Sequence, residues 1–258
     1  MFRDIKLIAM DLDGTLLTST KEVTENTRRV LKLCKEKGIK IAVATARPYR
    51  DVMRLCSGIE LDAAVCDNGA SIYIRSEKKH SSEIAPKQLQ RIVRNYYKLY
   101  PEGQLIIESG DCLYFNKDIY PIGWEMVDYL VTDLLALEEV AASKLIFPSF
   151  KEEDCVLMRE SLPEDIYILM GQNNQAMAMH RDASKSKGLS TAIKYFDLGL
   201  SHVMAFGDDN NDIDMLCAVG IGVAMGNAIA QVKECADYIA LANNEDGIAK
   251  FLEDKILV

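Results

Sequence analysis

The sequence predicts an α/β fold, in which a doubly wound, mainly parallel sheet is interrupted by an α+β insertion. Short apolar runs alternate with amphipathic helical stretches in residues 1–81, and the same alternation returns in residues 182–258. Between them, residues 82–181 carry strand and helix signals that do not alternate strictly, which is typical of an α+β domain. We therefore expect a discontinuous core, residues 1–81 plus 182–258, with a second domain inserted at residues 82–181.

Composition and charge exclude several classes of protein. The 258-residue chain is 49% hydrophobic and 27% charged, which favours a soluble globular protein over a disordered chain. Its formal net charge is −9, and the sequence contains no strongly basic stripe, which argues against nucleic-acid binding. No apolar run approaches the roughly 20 residues of a membrane span, and no signal peptide is evident, so we expect a cytoplasmic protein. The 7 cysteines include no C-x-x-C pair, which argues against a disulfide framework or a zinc site.

The first core segment contains two helix signals and four strand signals. Apolar residues recur at helical spacing from Thr24 to Lys37, where Gly38 ends the pattern, and Pro48 suits the first turn of a second helix. Apolar runs rich in β-branched residues predict strands at Ile5–Met10, Ile39–Ala44, Ala63–Cys66 and Ser71–Ile74. This order predicts strand–helix–strand units and hence parallel pairing.

The later segments are interpreted in the same way. The second core segment predicts strands at His202–Phe206, Val219–Ala224 and Tyr238–Leu241, and helices at Ile213–Leu216, Asn227–Cys235 and Glu245–Asp254. The insertion predicts helices at Pro86–Tyr100, Trp124–Leu137 and Lys151–Ser161, and strands at Gln104–Glu108, Cys112–Phe115, Ile166–Met170 and Gln175–Met179.

Acidic and hydroxyl side chains follow three of the predicted core strands. Asp11 and Asp13 follow the first strand, Thr45 the second, and Asp208 and Asp212 a later one. Ligands bind beyond the carboxyl ends of parallel strands, so we expect these groups to converge. Any single aspartate could merely cap a turn, but clustered carboxylates repel each other unless a cation is bound. Carboxylate oxygens suit Mg²⁺, which we predict as the cofactor.

Four motifs, in order along the chain, resemble those of the haloacid dehalogenase (HAD) superfamily. They are D-x-D-G-T at residues 11–15, Thr45-Ala46-Arg47, Lys187-Gly188, and G-D-x-x-N-D at residues 207–212. The segments at residues 67–70 and 225–228 are typical of its Cof-type sugar-phosphatase branch. This resemblance covers the whole chain and implies a Rossmann-like core with an inserted α+β cap domain. Ala46 stands where the branch usually has glycine, but the family uses the backbone N–H there, so we expect function to survive.

The resemblance implies a Mg²⁺-dependent phosphatase that hydrolyses small phosphomonoesters, such as sugar phosphates, through an aspartyl-phosphate. It makes Asp11 the nucleophile and Asp13 the general acid–base. It implies that the Asp11 carboxylate, the Asp13 backbone carbonyl and the Asp208 carboxylate hold the metal, with Asp212 behind them. The groups that it assigns to the substrate phosphate are the backbone N–H groups of Leu12 and Ala46, the Thr45 hydroxyl, the Lys187 ammonium and the Asn211 amide.

Some alternatives stay open at this point. Lys185 and Lys187 both fit the third motif, and the glycine that follows Lys187 favours it. Arg47 could contact substrate or form a salt bridge at the start of a helix. A phosphotransferase or phosphomutase would use the same residues, and a non-catalytic phosphate-binding protein is a weaker alternative. The expected partner is a small phosphorylated metabolite, with no nucleic acid and no membrane, and the sequence predicts no particular oligomeric state.

Overall fold

The computed structural model describes residues 2–110, 112–119, 128–170 and 174–257. The chain divides into two compact units: a core unit formed by Met1–Ser81 with Ser184–Val258, and an inserted unit formed by Ser82–Ala183. In the described part of the chain, no helix has the length and apolar character needed to cross a membrane.

The core unit is built on an eight-stranded sheet. Numbered along the whole chain, its strands are β1 (Leu7–Met10), β2 (Lys40–Ala44), β3 (Ala63–Cys66), β4 (Ser71–Ile74), β5 (Glu77–Ser81), β12 (Val203–Gly207), β13 (Ile221–Ala224) and β14 (Tyr238–Ile239). Their order is β14-β13-β12-β1-β2-β3-β4-β5, parallel from β14 to β3 and antiparallel beyond it. The chain leaves β1 towards β2 and later returns on the other side as β12, so the carboxyl end of β1 is a topological switch point.

The core helices are α1 (Glu25–Glu36), α2 (Tyr49–Leu55), α5 (Lys185–Lys194), α6 (Ile213–Ala218), α7 (Ala230–Cys235) and α8 (Gly247–Lys255). Every residue of β1, β3, β12 and β13 is buried, as expected of parallel strands covered on both faces. The predicted ends of α1 are confirmed: the Thr24 hydroxyl accepts from the Thr27 N–H, and Gly38 follows with φ +82°.

The inserted unit has a six-stranded sheet in the order β10-β11-β9-β6-β7-β8. Its elements are α3 (Pro86–Leu99), β6 (Ile106–Ser109), β7 (Cys112–Phe115), β8 (Leu130–Val131), β9 (Lys144–Phe147), α4 (Glu152–Ser161), β10 (Ile166–Met170) and β11 (Ala176–His180). A buried cluster of apolar side chains from both helices and the sheet gives this unit a core of its own.

The predicted α/β class is confirmed, but four local elements differ from prediction. Strands β5 and β9 and helix α5 were not predicted. The helix predicted at Trp124–Leu137 is wrong for the described residues 128–137, and Trp124 itself lies outside the described residues. There the chain pairs with β7 as β8, and the Asp133 carboxylate then accepts from the Leu135 N–H to close a 3₁₀ turn.

Candidate active site

The carboxyl ends of four neighbouring core strands place polar groups along one edge of the sheet. Asp11 directly follows β1, Thr45 follows β2, and Asp208 follows β12. Asn68, two residues beyond β3, was not among the predicted site residues. Asp11, Thr45 and Asn68 are all buried. Parallel pairing of adjacent strands therefore converts positions far apart in the chain into one site.

Three carboxylates form a compact cluster at this edge. Asp11, Asp208 and Asp212 each offer an oxygen atom, and these atoms lie within 4.8 Å of one another. Burial, together with the charges of Asp212 and Asp208, raises the pKa of Asp11 above its usual range, although Lys185 opposes this. Burial and the charge of Asp212 likewise raise the pKa of Asp208, to about 6, against the hydrogen bond from Thr15. Asp11 and Asp208 therefore hold protons at a higher pH than ordinary carboxyl groups, and binding of a cation to the cluster would release these protons.

A buried lysine bridges two members of the cluster. The Lys185 Nζ donates to Asp11 Oδ1 at 2.7 Å and to Asp212 Oδ1 at 2.6 Å, and the lysine is 1% exposed. Burial would lower the pKa of Lys185, but the two carboxylates raise it above its usual range, so the ammonium stays charged. One cation thus faces the nucleophile candidate from within the protein.

The structure brings Lys185, and not the predicted Lys187, to the carboxylate cluster. Ser184 caps α5, and Lys185 is the first helical residue, with its side chain directed at the carboxylates. Lys187 is two residues further on and exposed, because positions i and i+2 point to different sides of a helix. Gly188, three residues after Lys185, shares its face, and a Cβ there would lie 2.4 Å from Val65 Cγ1. The glycine therefore marks the face that packs on the sheet, and Lys185 lies on it.

Asp212 holds the loop that carries Asp208. Its Oδ2 accepts from the backbone N–H groups of Asp208 at 3.0 Å and Asp209 at 3.1 Å, while its Oδ1 accepts from Lys185. A Cβ on Gly207 would lie 2.5 Å from the Asp212 Cβ, so this packing requires glycine. Both Asp212 oxygens accept from protein donors, so Asp212 holds neighbouring groups of the site in place.

Asp13 lies at the same edge but is held by two cations rather than by the carboxylate cluster. Arg47 donates to both Asp13 oxygens, Nε to Oδ2 at 2.6 Å and Nη2 to Oδ1 at 3.0 Å, and Lys21 Nζ lies 2.5 Å from Oδ1. Partial burial would raise the pKa of Asp13, but these bonds lower it to about 2. The salt bridge that the sequence analysis allowed for Arg47 is present, and it engages Asp13 as well as Asp51.

Thr15 and Gly14 shape the position of Asp208. The Thr15 hydroxyl donates to Asp208 Oδ1 at 2.7 Å. Gly14 adopts φ +78°, and a Cβ there would lie 2.1 Å from Asp208 Oδ2. Both residues belong to the D-x-D-G-T motif, so the signal for Thr15 was present even though no role was predicted for it.

Replacing Gly14 with alanine is expected to displace Asp208 and to lower kcat at least tenfold, since a carboxylate that moves no longer fits the cluster. The positive φ adds a conformational penalty of about 1 kcal/mol. Gly38→Ala is the matched control: its φ is +82°, and a Cβ there meets nothing within 4 Å. Equal activity loss in the two variants would show that backbone strain, and not the approach of Asp208, is responsible.

Asn211 and Asn68 meet across the site. The Asn211 Nδ2 donates to Asn68 Oδ1 at 3.0 Å. Asn68 lies in a turn where Asp67, Asn68 and Gly69 all have positive φ, of 52°, 53° and 99°. Three consecutive left-handed residues are unusual, and such backbone is typically retained at functional sites. The amide of Asn211 is thereby oriented at the edge where the predicted phosphate ligands gather.

The remaining predicted phosphate ligands lie in the loops after β1 and β2. Leu12 is buried between the two aspartates of the first motif, and Ala46 is half-buried next to Thr45. The Thr45 hydroxyl accepts from the Arg47 N–H at 3.1 Å. These two loops flank the switch point of the sheet.

Comparison with known proteins gives the class to which this fold and site belong. A family model described as haloacid dehalogenase-like hydrolase matches residues 8–252. The chain is 31% identical to the 5-amino-6-(5-phospho-D-ribitylamino)uracil phosphatase YitU of Bacillus subtilis (strain 168), over 96% of each protein. The chain therefore belongs to the haloacid dehalogenase-like hydrolases.

Similarity to solved structures gives a more specific assignment within this family of hydrolases. The phosphatase BT1666 from Bacteroides thetaiotaomicron superposes with a TM-score of 0.86 and 26% identity, covering 98% of this chain and 96% of that one. BT4131, described as a HAD subclass IIB sugar phosphatase, gives a TM-score of 0.80 with 26% identity over 98% of this chain and 100% of that one. The protein is a HAD-type phosphatase of the Cof-type branch, which confirms the resemblance predicted from the motifs.

Proposed function

We propose that this phosphatase hydrolyses small phosphomonoesters with Mg²⁺ as cofactor, through a phosphorylated Asp11. The observation that carries the proposal is the buried cluster of Asp11, Asp208 and Asp212 joined to Lys185 at the switch point of the sheet. Two buried carboxylates and one half-buried carboxylate against one buried ammonium leave excess negative charge, which favours binding of a cation.

The donor set of this cluster fits Mg²⁺. It contains carboxylate oxygens and no histidine or cysteine, which are the ligands that zinc prefers. The Asp11 and Asp208 carboxylates and the Asp13 backbone carbonyl would hold the ion. When bound, it reduces the repulsion between an anionic nucleophile and an anionic phosphate.

In the first half of the reaction, a carboxylate oxygen of Asp11 attacks phosphorus as the bond to the leaving oxygen breaks. Arg47 and Lys21 keep Asp13 ionised in the free site, so Asp13 must receive a proton as the phosphomonoester binds. Asp13 then gives that proton to the leaving oxygen, and the product leaves as an alcohol. In the second half, Asp13 takes a proton from water as the water oxygen attacks phosphorus. The phosphate is then released, and the Asp11 carboxylate is restored.

The substrate phosphate would be bound by cations and N–H donors of the core unit. Lys185 takes the place that the sequence analysis gave to Lys187, and its contact with Asp11 keeps a positive charge beside the reacting oxygens. Stabilising charge on the transferring phosphoryl group is the main task in this chemistry. The other donors in the proposal are the Thr45 hydroxyl, the Asn211 amide and the N–H groups of Leu12 and Ala46.

The relatives suggest a class of leaving group. YitU is named for a substrate with a phosphorylated ribityl chain, and BT4131 is described as a sugar phosphatase. A phosphorylated ribityl chain and a sugar phosphate both have the phosphate on a polyhydroxylated carbon chain. We infer a substrate of this class for the present enzyme, with the inserted unit acting as the cap that selects it.

The test is phosphate release from a panel of sugar, polyol and nitrophenyl phosphates, with Mg²⁺ and with excess chelator. We expect release that requires Mg²⁺ and is fastest with one of the polyol or sugar esters. Transfer of phosphate to an added sugar without release would instead identify a phosphotransferase. A stable bound ester without turnover would identify a binding protein and overturn the proposal.

Binding of Mg²⁺ is expected to weaken as pH falls. A carboxyl group with a pKa of about 6, as burial gives Asp208, is about nine-tenths ionised at pH 7 and about one-tenth at pH 5. Since the ion binds only the carboxylate form, protonation of Asp208 alone should lower its affinity about tenfold between these values, and the raised pKa of Asp11 should make the total loss larger. Calorimetric titration in two buffers of different ionisation enthalpy measures the protons released. An affinity that does not change with pH would contradict this account of the cluster.

A further inference from the structure

Lys21 lies on a turn that follows the first motif and reaches back to Asp13. The turn is closed by backbone bonds from Thr18 N–H to Glu22 O at 2.9 Å and from Lys21 N–H to Thr18 O at 3.0 Å. From it, the Lys21 Nζ contacts Asp13 Oδ1 at 2.5 Å. Neither the resemblance nor the reaction described above gives this lysine a role.

The backbone of Lys21 is in the left-handed region, with φ +62°. A side chain in this conformation costs about 1 kcal/mol relative to glycine, which adopts it freely. The turn alone would be better served by glycine, so its geometry does not account for a lysine. Unusual backbone of this kind at the edge of a site supports a functional interpretation.

Stability does not account for the lysine either. The Lys21 side chain is 44% exposed and that of Asp13 is 35% exposed, and ion pairs this open to solvent contribute little to folding. Arg47 already makes a two-point contact with the Asp13 carboxylate. What Lys21 adds is a second direction of attachment: Arg47 approaches from the start of α2, and Lys21 approaches from the turn after the motif.

We propose that Lys21 is a positioning residue for Asp13, which together with Arg47 fixes the orientation of the carboxylate that exchanges protons with the leaving group and with water. The proposal rests on the function proposed above for Asp13. A carboxylate rotates freely about two side-chain bonds, and contacts from two separate elements restrict both rotations. Proton transfer depends on such placement, because the donor must lie within hydrogen-bond reach of the leaving oxygen.

The test compares kcat/KM for an alkyl phosphate with kcat/KM for nitrophenyl phosphate. For each ester, kcat/KM covers only the steps up to loss of the leaving group, and nitrophenolate leaves without protonation. Lys21→Met should lower kcat/KM on the alkyl ester about tenfold, a fraction of the 10²- to 10⁴-fold that a placed general acid contributes. The value for the nitrophenyl ester should change by less than about twofold, and Lys21→Arg should restore most of the loss.

Two further variants make the result decisive. Lys21→Gly relieves the positive φ, so it should keep or raise the melting temperature and yet show the same selective loss as Lys21→Met. Lys32→Met removes an exposed lysine from α1 and serves as the matched control, with no change expected. Equal losses on both esters, or no loss, in Lys21→Met and Lys21→Gly would overturn the proposal.

Asp13→Asn separates this proposal from the proposed function. If Asp13→Asn loses activity selectively on the alkyl ester and the Lys21 variants do not, the acid role stands and the role of Lys21 is wrong. If Asp13→Asn itself shows no selectivity between the esters, the acid role of Asp13 is wrong and the proposal for Lys21 fails with it.

Discussion

Asp11→Asn is expected to abolish phosphate release while leaving the fold intact. The substitution is nearly isosteric, and it replaces the carboxylate that we propose as the nucleophile with an amide, which is a far weaker nucleophile. We expect kcat to fall by at least about a thousandfold, a loss of about 4 kcal/mol of transition-state stabilisation. The melting temperature should change little, because the amide also removes a charge from a crowded cluster and Lys185 keeps its bond to Asp212.

A trapping experiment in a second variant, Asp13→Asn, tests the covalent intermediate. In Asp13→Asn, hydrolysis of a phosphorylated Asp11 should be slow, so acid-quenched protein should retain a labelled phosphoryl group. The label should be absent when Asp11→Asn is added to that background. Asp209→Asn is the matched control from the loop next to the cluster, since the Asp209 Oδ1 accepts from the Asn210 N–H of its own turn and Asp209 is not among the proposed site residues. Full turnover in Asp11→Asn would overturn the nucleophile assignment.

Lys185→Met is expected to damage both stability and activity. It leaves Asp11 and Asp212 buried without their shared cation, and removing one partner from a buried ion pair typically lowers the free energy of unfolding by about 3–5 kcal/mol. Activity should fall at least about a hundredfold, the scale for loss of a charge-stabilising donor. Urea denaturation at pH 7 and phosphate release measure the two effects separately.

Lys187→Met is the matched control for this experiment. Lys187 has the same side chain two residues away on the same helix, but it is exposed. An exposed substitution of this kind should change the free energy of unfolding by no more than about 0.5 kcal/mol and activity by less than about twofold. If Lys187→Met were the inactive variant and Lys185→Met the active one, the original motif interpretation would be restored.

Much of the core could be predicted because its strands are short, apolar and followed directly by polar residues. Asp11, Thr45 and Asp208 could be placed at one edge by the general rule for parallel strands, without knowing the order of those strands. The ends of α1 could be predicted because Thr24 and Gly38 have local roles in capping. These features depend on residues close together in sequence, so a local pattern contains them.

The features that were missed depend on neighbours distant in the chain. Lys185 differs from Lys187 only in which side of α5 it lies on, and that side is set by packing of Gly188 on β3. The contacts of Lys21 and Arg47 with Asp13 join three separate loops. A periodic pattern in the sequence does not predict contacts between loops. The helix predicted to end at Leu137 fails for a similar reason, because pairing of β8 with β7 overrides local helical spacing.

The placement of β12 beside β1 has a consequence for how the protein is made. Thr15 and its partner Asp208 are separated by 193 residues, so one edge of β1 stays without its native neighbour until most of the chain has left the ribosome. Closing so long a loop is slow, and an open strand edge invites pairing with other chains. The carboxylate cluster can assemble only after residue 212 has emerged. Phosphatase activity therefore indicates that synthesis has passed residue 212, and a chain that stops within the inserted unit contains Asp11 but lacks Asp208 and Asp212.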